Sequence, residues 1–291
     1  MNVTIGLATR GRPMQLGETI RRTLPNIVRP DTKLVVLADD DDIDTIASED
    51  EWCPGDARVK VSIRTREDTN GPKHDRVLSE HPADLYLTMH DCAPILTCGF
   101  DQAVVDAAAL FGDGIGVING PMANASFPAM QTVTAKWVDL VGYRYAHDYP
   151  YWFIDHELDD LARMTGRQIY LPIELSIAQM RPTKTIRLRD LRWWMDYFDT
   201  GVYRRRAKAR KIIEALDEPE HRKEMLRTWY MPVEARSFAI HAGLRPHAAA
   251  VEKDRGEGGP PDPGYLRAFD RARVELIKME VETRQLFAEA A

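Results

Sequence analysis

The sequence predicts an α/β protein, with a mostly parallel sheet flanked by helices and a helical carboxyl-terminal extension. Over about the first 180 residues, strand-like and helix-like segments alternate, which is the pattern of a parallel sheet covered by helices. Within residues 33–38, all residues after Lys33 form a continuous apolar run, as expected for a strand buried on both faces. From about residue 185 the sequence becomes helix-like throughout.

The individual elements follow from local patterns. Leu16, Ile20 and Leu24 recur at helical spacing within a predicted helix at 14–24, which Pro25 ends. A second helix is expected at 100–111. Strands are predicted for the short apolar or alternating runs at 3–8, 33–38, 59–63, 84–89, 114–118 and 168–172. Later helices are predicted at 188–197, 202–216, 220–230 and 233–242.

These elements divide the chain into four parts. A sheet-containing domain covers residues 1–182, and a helical extension covers 183–255. Residues 256–264 are rich in glycine and proline and predict a linker. The last part, 265–291, reads as one long helix with an apolar stripe. This stripe is expected to pack on the body of the protein or on a second subunit, so a homo-oligomer is one expectation.

Composition limits the class of protein. Of 291 residues, 44% are hydrophobic and 29% charged, which is typical of a globular chain, and the net charge is −6. The apolar runs are too short for a membrane span, and the first residues lack the features of a secretory signal. Cys53, Cys92 and Cys98 form no paired motif and are expected to be reduced thiols. The prediction is a cytoplasmic protein without a membrane span.

Charge is unevenly distributed. Residues 39–51 contain eight acids and no base, whereas residues 181–211 contain eleven lysines or arginines against three aspartates. An acidic protein is a poor general binder of nucleic acid, but a local basic face can hold phosphate. The basic run at 203–211 is therefore open to two interpretations, a solvated helix face or a phosphate-binding surface.

Polar side chains capable of chemistry follow several predicted strands at the point where each strand ends. In an open α/β sheet, ligands bind beyond the carboxyl ends of the strands. Each group alone also has a structural explanation, because aspartates cap helices and arginines are common on surfaces. Together they favour a site. The residues are Thr9, Arg10 and Arg12 after the first strand, Asp39, Asp40, Asp41 and Asp42 after the second, Asn70, Lys73 and His74 after the third, and His90 and Asp91 at the end of the fourth.

Four segments, taken in order, resemble GT-A-type glycosyltransferases, closest in pattern to family 2. Residues 3–13 are similar to the first strand and its base-contacting loop, and 34–45 to the second strand with its nucleotide-binding aspartate. Residues 83–94 resemble the strand that ends in the DxD-type metal motif. Residues 151–166 resemble the late acidic motif and the helix that holds the catalytic base. The resemblance covers about residues 1–182, which it identifies as a GT-A-like domain for nucleotide-sugar binding and catalysis.

The resemblance implies a nucleotide-sugar donor, expected to be a UDP-sugar, and a divalent cation that assists departure of the diphosphate. Asp91 is the expected metal ligand; oxygen ligands suit Mg²⁺ or Mn²⁺, and His90 favours Mn²⁺. Two departures weaken this metal site, because His90-Asp91-Cys92 keeps one carboxylate and Gln179 stands where many relatives have a histidine. The expected donor-binding residues are Thr9, Arg10, Arg12, Asp39, Asp40, Lys73 and His90.

A catalytic base is also expected, because an acceptor hydroxyl must lose its proton as it attacks the sugar. Asp155 matches the position of that base in the resemblance, with Glu157 as second choice, and an inverting reaction is implied. Asp155 could instead simply cap the helix that follows. Aromatic residues on which a sugar could stack surround it: Tyr149, Tyr151, Trp152 and Phe153.

The predicted function is thus transfer of a sugar, as by a hexosyltransferase, to an unidentified acceptor hydroxyl. One alternative is a nucleotidyltransferase, although residues 9–13 contain only one glycine where that class has a glycine-rich basic loop. The other is a catalytically silent GT-A-like protein that binds nucleic acid or a partner through its basic helices. A polyanion such as nucleic acid is also a candidate acceptor.

Overall fold

The computed structural model of the chain describes residues 1–53, 55–123, 127–176, 187, 189–255 and 261–289. Two compact units are present. The first comprises Met1–Glu67, Pro72–Arg144 and Arg167–Arg181, and the second comprises Asp68–Gly71, Tyr145–Gly166 and Pro182–Ala291. The predicted division at residue 182 stays a prediction, and most of the predicted linker (256–260) lies outside the described residues.

The first unit is built on a seven-stranded sheet in the order β3-β2-β1-β4-β8-β5-β9. Its strands are β1 (Val3–Ala8), β2 (Lys33–Asp39), β3 (Val59–Arg64), β4 (Leu85–His90), β5 (Val117–Asn119), β8 (Gln131–Thr134) and β9 (Gln168–Tyr170). A separate two-stranded ribbon pairs β6 (Met122–Ala123) with β7 (Phe127–Pro128).

Parallel pairing joins β3, β2, β1 and β4, and also β5 and β9. β8 alone runs antiparallel, between β4 and β5. Val3, Ile5 and Leu7 of β1 are fully buried, as are Leu34 and Val36 of β2, because helices cover both faces of a parallel sheet. The predicted class, a mostly parallel sheet flanked by helices, is confirmed.

Helices connect the strands of the first unit. Pro13 begins α1, where its fixed φ suits the first helical turn. Most predicted elements match observed ones within a few residues, but β8 and α4 were not predicted from the sequence. The helices are α1 (Pro13–Thr23), α2 (Ile43–Ala47), α3 (Glu49–Trp52), α4 (Asn70–Glu80), α5 (Phe100–Ala108) and α6 (Ala135–Val141).

The second unit is helical in its described residues. Its helices are α7 (Ile154–Met164), α8 (Leu191–Thr200), α9 (Val202–Ala215), α10 (Glu220–Arg227), α11 (Tyr230–Leu244), α12 (Ala248–Arg255) and α13 (Pro263–Glu289). In α13, Tyr265, Ala268, Ala272 and Met279 are buried at helical spacing, so this face packs within the unit. None of the helices in the described part of the chain is both long enough and apolar enough to cross a membrane.

Candidate active site

The carboxyl ends of β1, β2 and β4 meet at one edge of the sheet. Ala8 is paired with Leu37 of β2 and with His90 of β4, so the loops after these strands start side by side. Thr9 Oγ1 consequently reaches Asp91 and donates a hydrogen bond to its Oδ2 at 2.9 Å. The structure thus brings together groups that are 82 residues apart in sequence.

Asp39, the last residue of β2, lies buried among three cations. Its Oδ1 contacts Lys73 Nζ at 2.9 Å and Arg76 Nη2 at 3.2 Å. Its Oδ2 accepts a hydrogen bond from Arg10 Nη1 at 3.2 Å. Lys73 also donates to the carbonyl of Thr9 at 2.9 Å, which ties the loop after β1 to α4. Burial lowers the pKa of Lys73, and the charge of Asp39 opposes this shift. Asp39 therefore anchors the cations that line this edge.

Arg76 was not singled out from the sequence. It is buried and donates to the carbonyl of Ala38 at 2.6 Å, and its Nε donates to Glu67 at 2.7 Å. Its position three residues after Lys73 on α4 puts the two cations on neighbouring parts of one helix face. If α4 had been recognised as a helix from the sequence, this spacing would have linked Arg76 to Lys73.

The rest of the acidic run has structural partners. Asp41 accepts from both terminal nitrogens of Arg10, at 2.5 and 2.9 Å, and this guanidinium lowers the pKa of Asp41. Asp42 caps α2 and accepts from the backbone nitrogen of Gly11 at 2.9 Å. Asp40 is exposed and accepts from Thr65 Oγ1 at 3.0 Å. These contacts fix the loop conformation, and the donor-binding roles predicted for Arg10 and Asp40 stay predictions.

Replacing Asp39 with asparagine is expected to destabilise the protein by about 3 kcal/mol, because it leaves the buried cations without their shared carboxylate. Chemical denaturation at neutral pH measures this difference. Asp40→Asn, one residue away but exposed, is the matched control and should change the free energy of unfolding by less than about 0.5 kcal/mol. Equal effects of the two substitutions would show that Asp39 is no anchor.

Asp91 is buried, and its carboxylate is in contact with other side chains of the protein. Besides Thr9, its Oδ2 contacts Arg12 Nε at 3.2 Å. Its backbone carbonyl accepts from Thr19 Oγ1 of α1 at 2.8 Å. Burial raises the pKa of the Asp91 carboxyl, while Arg12 opposes the rise. A buried carboxylate in contact with a guanidinium has part of its charge neutralised before any ligand binds.

The residues around Asp91 do not fit a hard divalent cation. Such a cation takes several oxygen ligands, usually with more than one carboxylate or with substrate phosphates. His90 is exposed at the end of β4, and the soft thiol of Cys92 is a poor ligand for a hard cation. Across the part of the chain that the structure describes, no three His, Cys, Asp or Glu side chains gather as metal ligands. Gln179 lies outside the described residues.

The two predicted catalytic carboxylates belong to the first turn of α7 in the second unit. Phe153, immediately before the helix, has a φ of +71°, a strained backbone conformation for a residue other than glycine. Asp155 Oδ1 accepts from the backbone nitrogen of His156 at 2.9 Å. Burial raises the pKa of Asp155 to about 6, with a smaller contribution from the nearby charge of Asp159. A carboxylate with this pKa is ionised at neutral pH and remains a competent base.

Glu157 is held more tightly than Asp155. Its Oε1 accepts from Lys208 Nζ at 2.7 Å, and its Oε2 accepts from the hydroxyl of Tyr149 at 3.2 Å. The side chain is buried. Glu157 therefore has the contacts of an anchor between α7 and α9, and Asp155 is the better candidate for a base.

The aromatic residues near α7 divide into two pairs. Tyr149 and Phe153 are buried, and the Tyr149 ring packs edge-on against Tyr197 with ring centroids 5.6 Å apart. Tyr151 and Trp152 are half-buried and pack edge to face at 5.8 Å. Only the second pair keeps accessible ring surface on which a sugar could stack.

The basic run on α9 is paired within the second unit. Arg204 contacts Glu275 at 3.1 Å, and Arg206 contacts Glu234 at 2.6 Å. Arg205 is buried over the Phe198 ring, with its guanidinium carbon 3.7 Å from the ring centroid. These partners neutralise much of the charge that would otherwise attract a polyanion.

No family model and no curated protein matches the sequence. Solved structures do resemble the fold. The mannosyltransferase PcManGT from Pyrobaculum calidifontis, in complex with GDP-Man and Mn²⁺, aligns with a TM-score of 0.50 and 15% identity, covering 97% of this chain and 86% of that one. TarS residues 1–349 from S. aureus, in complex with UDP-GlcNAc, aligns with a TM-score of 0.58 and 12% identity, covering 94% of this chain and 80% of that one. The fold is therefore GT-A-like, as predicted.

Proposed function

We propose that this protein is a glycosyltransferase that moves a sugar from a nucleotide-sugar donor to an acceptor hydroxyl. The observation that carries the proposal is the charged cluster at the carboxyl ends of β1, β2 and β4, on a GT-A-type sheet. Ligands of open α/β sheets bind at this edge. Thr9, Arg12, Lys73 and Asp39 supply donors and acceptors of the kind that a nucleoside diphosphate needs.

The class of donor is inferred from the similar structures. The two similar structures described above contain nucleotide sugars, GDP-Man in one and UDP-GlcNAc in the other. A UDP-sugar is our first choice, and a hexose is the expected sugar. The Mn²⁺ bound with PcManGT favours a metal, whereas the residues around Asp91 do not, so no step of the reaction is assigned to a metal here.

On the acceptor side, Asp155 is the proposed general base. It removes the proton of the attacking hydroxyl while the bond between the anomeric carbon and the diphosphate breaks, in a single displacement that inverts the anomeric configuration. The acceptor stays open, and the pairing of α9 cations gives a polyanion little support. The cytoplasmic location and the homo-oligomer stay predictions.

Hydrolysis of donors tests the proposal without knowledge of the acceptor. The protein is incubated with UDP-glucose, UDP-GlcNAc and GDP-mannose, and release of the nucleoside diphosphate is measured. Slow release from one donor, at least about tenfold above the protein-free rate, is expected. If none is bound or hydrolysed while duplex DNA is retained at low salt, the silent binding protein is the better description.

The pH dependence should report Asp155. Since its pKa is raised to about 6 and the base must be ionised, kcat/KM should increase about tenfold per unit of pH below 6 and level off above it. Initial rates between pH 5 and 8 check this. A flat profile over that range would exclude a base with the pKa of Asp155.

A further inference from the structure

Arg12 stands where the sequence resemblance places a metal ion. Its Nε lies 3.2 Å from Asp91 Oδ2, the carboxylate expected to hold that ion. The Arg12 side chain keeps 23% of its surface accessible, whereas Asp91 keeps 3%. The cation next to the carboxylate is thus partly open to a ligand, while the carboxylate itself is enclosed.

We propose that the guanidinium of Arg12 replaces the divalent cation, so that this protein binds the diphosphate of its donor without a metal. This inference rests on the proposed function and names the residue that recognises the diphosphate. Asp91 is then a positioning residue, which holds Arg12 through its carboxylate.

Charge and geometry support this assignment. A divalent cation bound to Asp91 would lie close to the positive charge of Arg12, and the two would repel each other most strongly where water is excluded. A guanidinium can bind the phosphate without a metal, because its planar N–H groups match the phosphate oxygens. It also stays charged at any physiological pH. It also supplies donors in a fixed direction, which a hydrated metal does not.

The surrounding backbone adds to the positive potential. Arg12 is the residue before the first turn of α1, whose eleven residues begin at Pro13. The amino-terminal end of a helix carries a partial positive charge that favours phosphate. Lys73 donates to the carbonyl of Thr9 at 2.9 Å and so holds the start of this loop. The loop that carries Arg12 is therefore fixed at its beginning by Lys73 and at its end by α1.

In the reaction, the bond between the anomeric carbon and the β-phosphate oxygen breaks, and its electron pair stays on that oxygen. The acceptor oxygen forms the new bond to the anomeric carbon and passes its proton to the general base. The leaving nucleoside diphosphate gains one negative charge, and the Arg12 guanidinium stabilises it through charge-assisted hydrogen bonds.

Calorimetric binding of UDP and GDP, each in EDTA and in MnCl₂, tests the proposal on the full chain. For whichever nucleotide binds, the dissociation constants in the two buffers should agree within about twofold. Arg12→Ala should weaken the binding of that nucleotide by roughly 10- to 100-fold, since a hydrogen bond to a charged group contributes about 1.5–3 kcal/mol. Binding of the parent nucleoside, which lacks phosphate, should change less than about twofold.

Three further variants complete the design. Arg21→Ala removes one exposed charge from α1 and is the matched control, with nucleotide affinity unchanged. Arg12→Lys keeps the charge without the planar group and should show an intermediate loss, which also covers the case in which Arg12→Ala fails to fold. Asp91→Asn should weaken binding by at most about tenfold, equally in both buffers.

The proposal is overturned if MnCl₂ tightens nucleotide binding at least tenfold in the original protein, or if Asp91→Asn abolishes such an effect. It is equally overturned if Arg12→Ala weakens the binding of the nucleoside and of the nucleotide by the same factor. The glycosyltransferase proposal survives both of these results. If no nucleotide binds in either buffer, both proposals are wrong.

Discussion

Replacing Asp155 with asparagine is expected to lower the rate of sugar transfer by about 10²–10⁴-fold, which is the usual contribution of a positioned general base. Donor affinity should change less than about threefold, because the diphosphate is assigned to Arg12 and the cluster around Asp39. Single-turnover transfer and donor binding, measured on the same variant, separate the two effects.

The same substitution should not weaken the fold. The pKa of Asp155 in the folded protein is about 6, above the ordinary value of 3.8, so ionisation of this group costs the folded state stability. This stability is present below about pH 4 and is lost as the pH rises to about 6. Asparagine removes the penalty, and the variant should melt at the same or a higher temperature than the original protein at pH 8. Gain of stability with loss of rate is typical of residues kept for catalysis.

Glu157→Gln is the matched comparison on the same helical turn. It breaks the 2.7 Å contact with Lys208, so it should lower the melting temperature while transfer by the folded fraction stays within about threefold. If Glu157→Gln stops transfer and Asp155→Asn leaves it intact, the base is Glu157. A parallel fall in melting temperature for both variants would indicate that neither is catalytic.

The sheet edge was predictable because its signals are local. The continuous apolar run of β2 defines a buried strand, and parallel pairing then places the residues after each strand at one edge. Thr9 and Asp91 follow neighbouring strands, so their contact needs only the strand order β1-β4. Residues that directly follow a strand, such as Thr9 and Asp91, could therefore be predicted from the sequence to lie at this edge.

The helix α4 was missed for a physical reason. Hydrophobic periodicity marks a helix that buries an apolar face, but α4 buries Lys73, His74 and Arg76 alongside the apolar Val77. A helix whose buried face is largely polar has few apolar residues at helical spacing, so the usual hydrophobic stripe is missing. Its partner, Asp39, lies on another element, so the pairing that justifies the burial is visible only in three dimensions.

The short strand β8 and the pairing of Lys208 with Glu157 illustrate the remaining limits. β8 has four residues, too few for a clear alternating pattern, and its antiparallel direction depends on the path of the chain between β5 and β8. Lys208 and Glu157 are 51 residues apart. Nothing in a run of basic residues tells which of them will meet an acid. The sequence alone therefore does not distinguish a basic face that is paired with acids from one that is open to a ligand.

Replacing His241 with phenylalanine is expected to destabilise the protein by about 2–4 kcal/mol and to lower its melting temperature by roughly 5–10 °C. His241 is the centre of a buried chain of hydrogen bonds across α7, α8 and α11. Its Nδ1 contacts Asp199 Oδ1 at 2.6 Å, and its Nε2 contacts His156 Nδ1 at 3.3 Å. His156 Nε2 contacts Ser237 Oγ at 2.9 Å, which in turn lies 2.8 Å from Asp160 Oδ1.

The contacts of Asp160 set the direction of one end of this chain. Ser237 Oγ donates to the Asp160 carboxylate, and Arg205 Nε lies 3.6 Å from Asp160 Oδ2. Burial raises the pKa of Asp160 to about 7, while the charge of Arg205 opposes the shift. Burial also lowers the pKa of His156, whose ring joins Ser237 to His241.

Phenylalanine at position 241 keeps the ring that packs at 5.1 Å from Phe153 but removes both nitrogens from the chain. His156 loses its partner at Nδ1 and Asp199 loses one partner, so the expected loss of stability comes from desolvated polar groups, with little change in packing. His221→Phe, on the exposed side of α10, is the matched control and should melt within about 1 °C of the original protein. Ser237→Ala is the second test, because it removes the hydroxyl that joins Asp160 to His156 and should cost about 1–3 kcal/mol. If His241→Phe and Ser237→Ala both melt within about 1 °C of the original protein, this chain of hydrogen bonds does not contribute to stability.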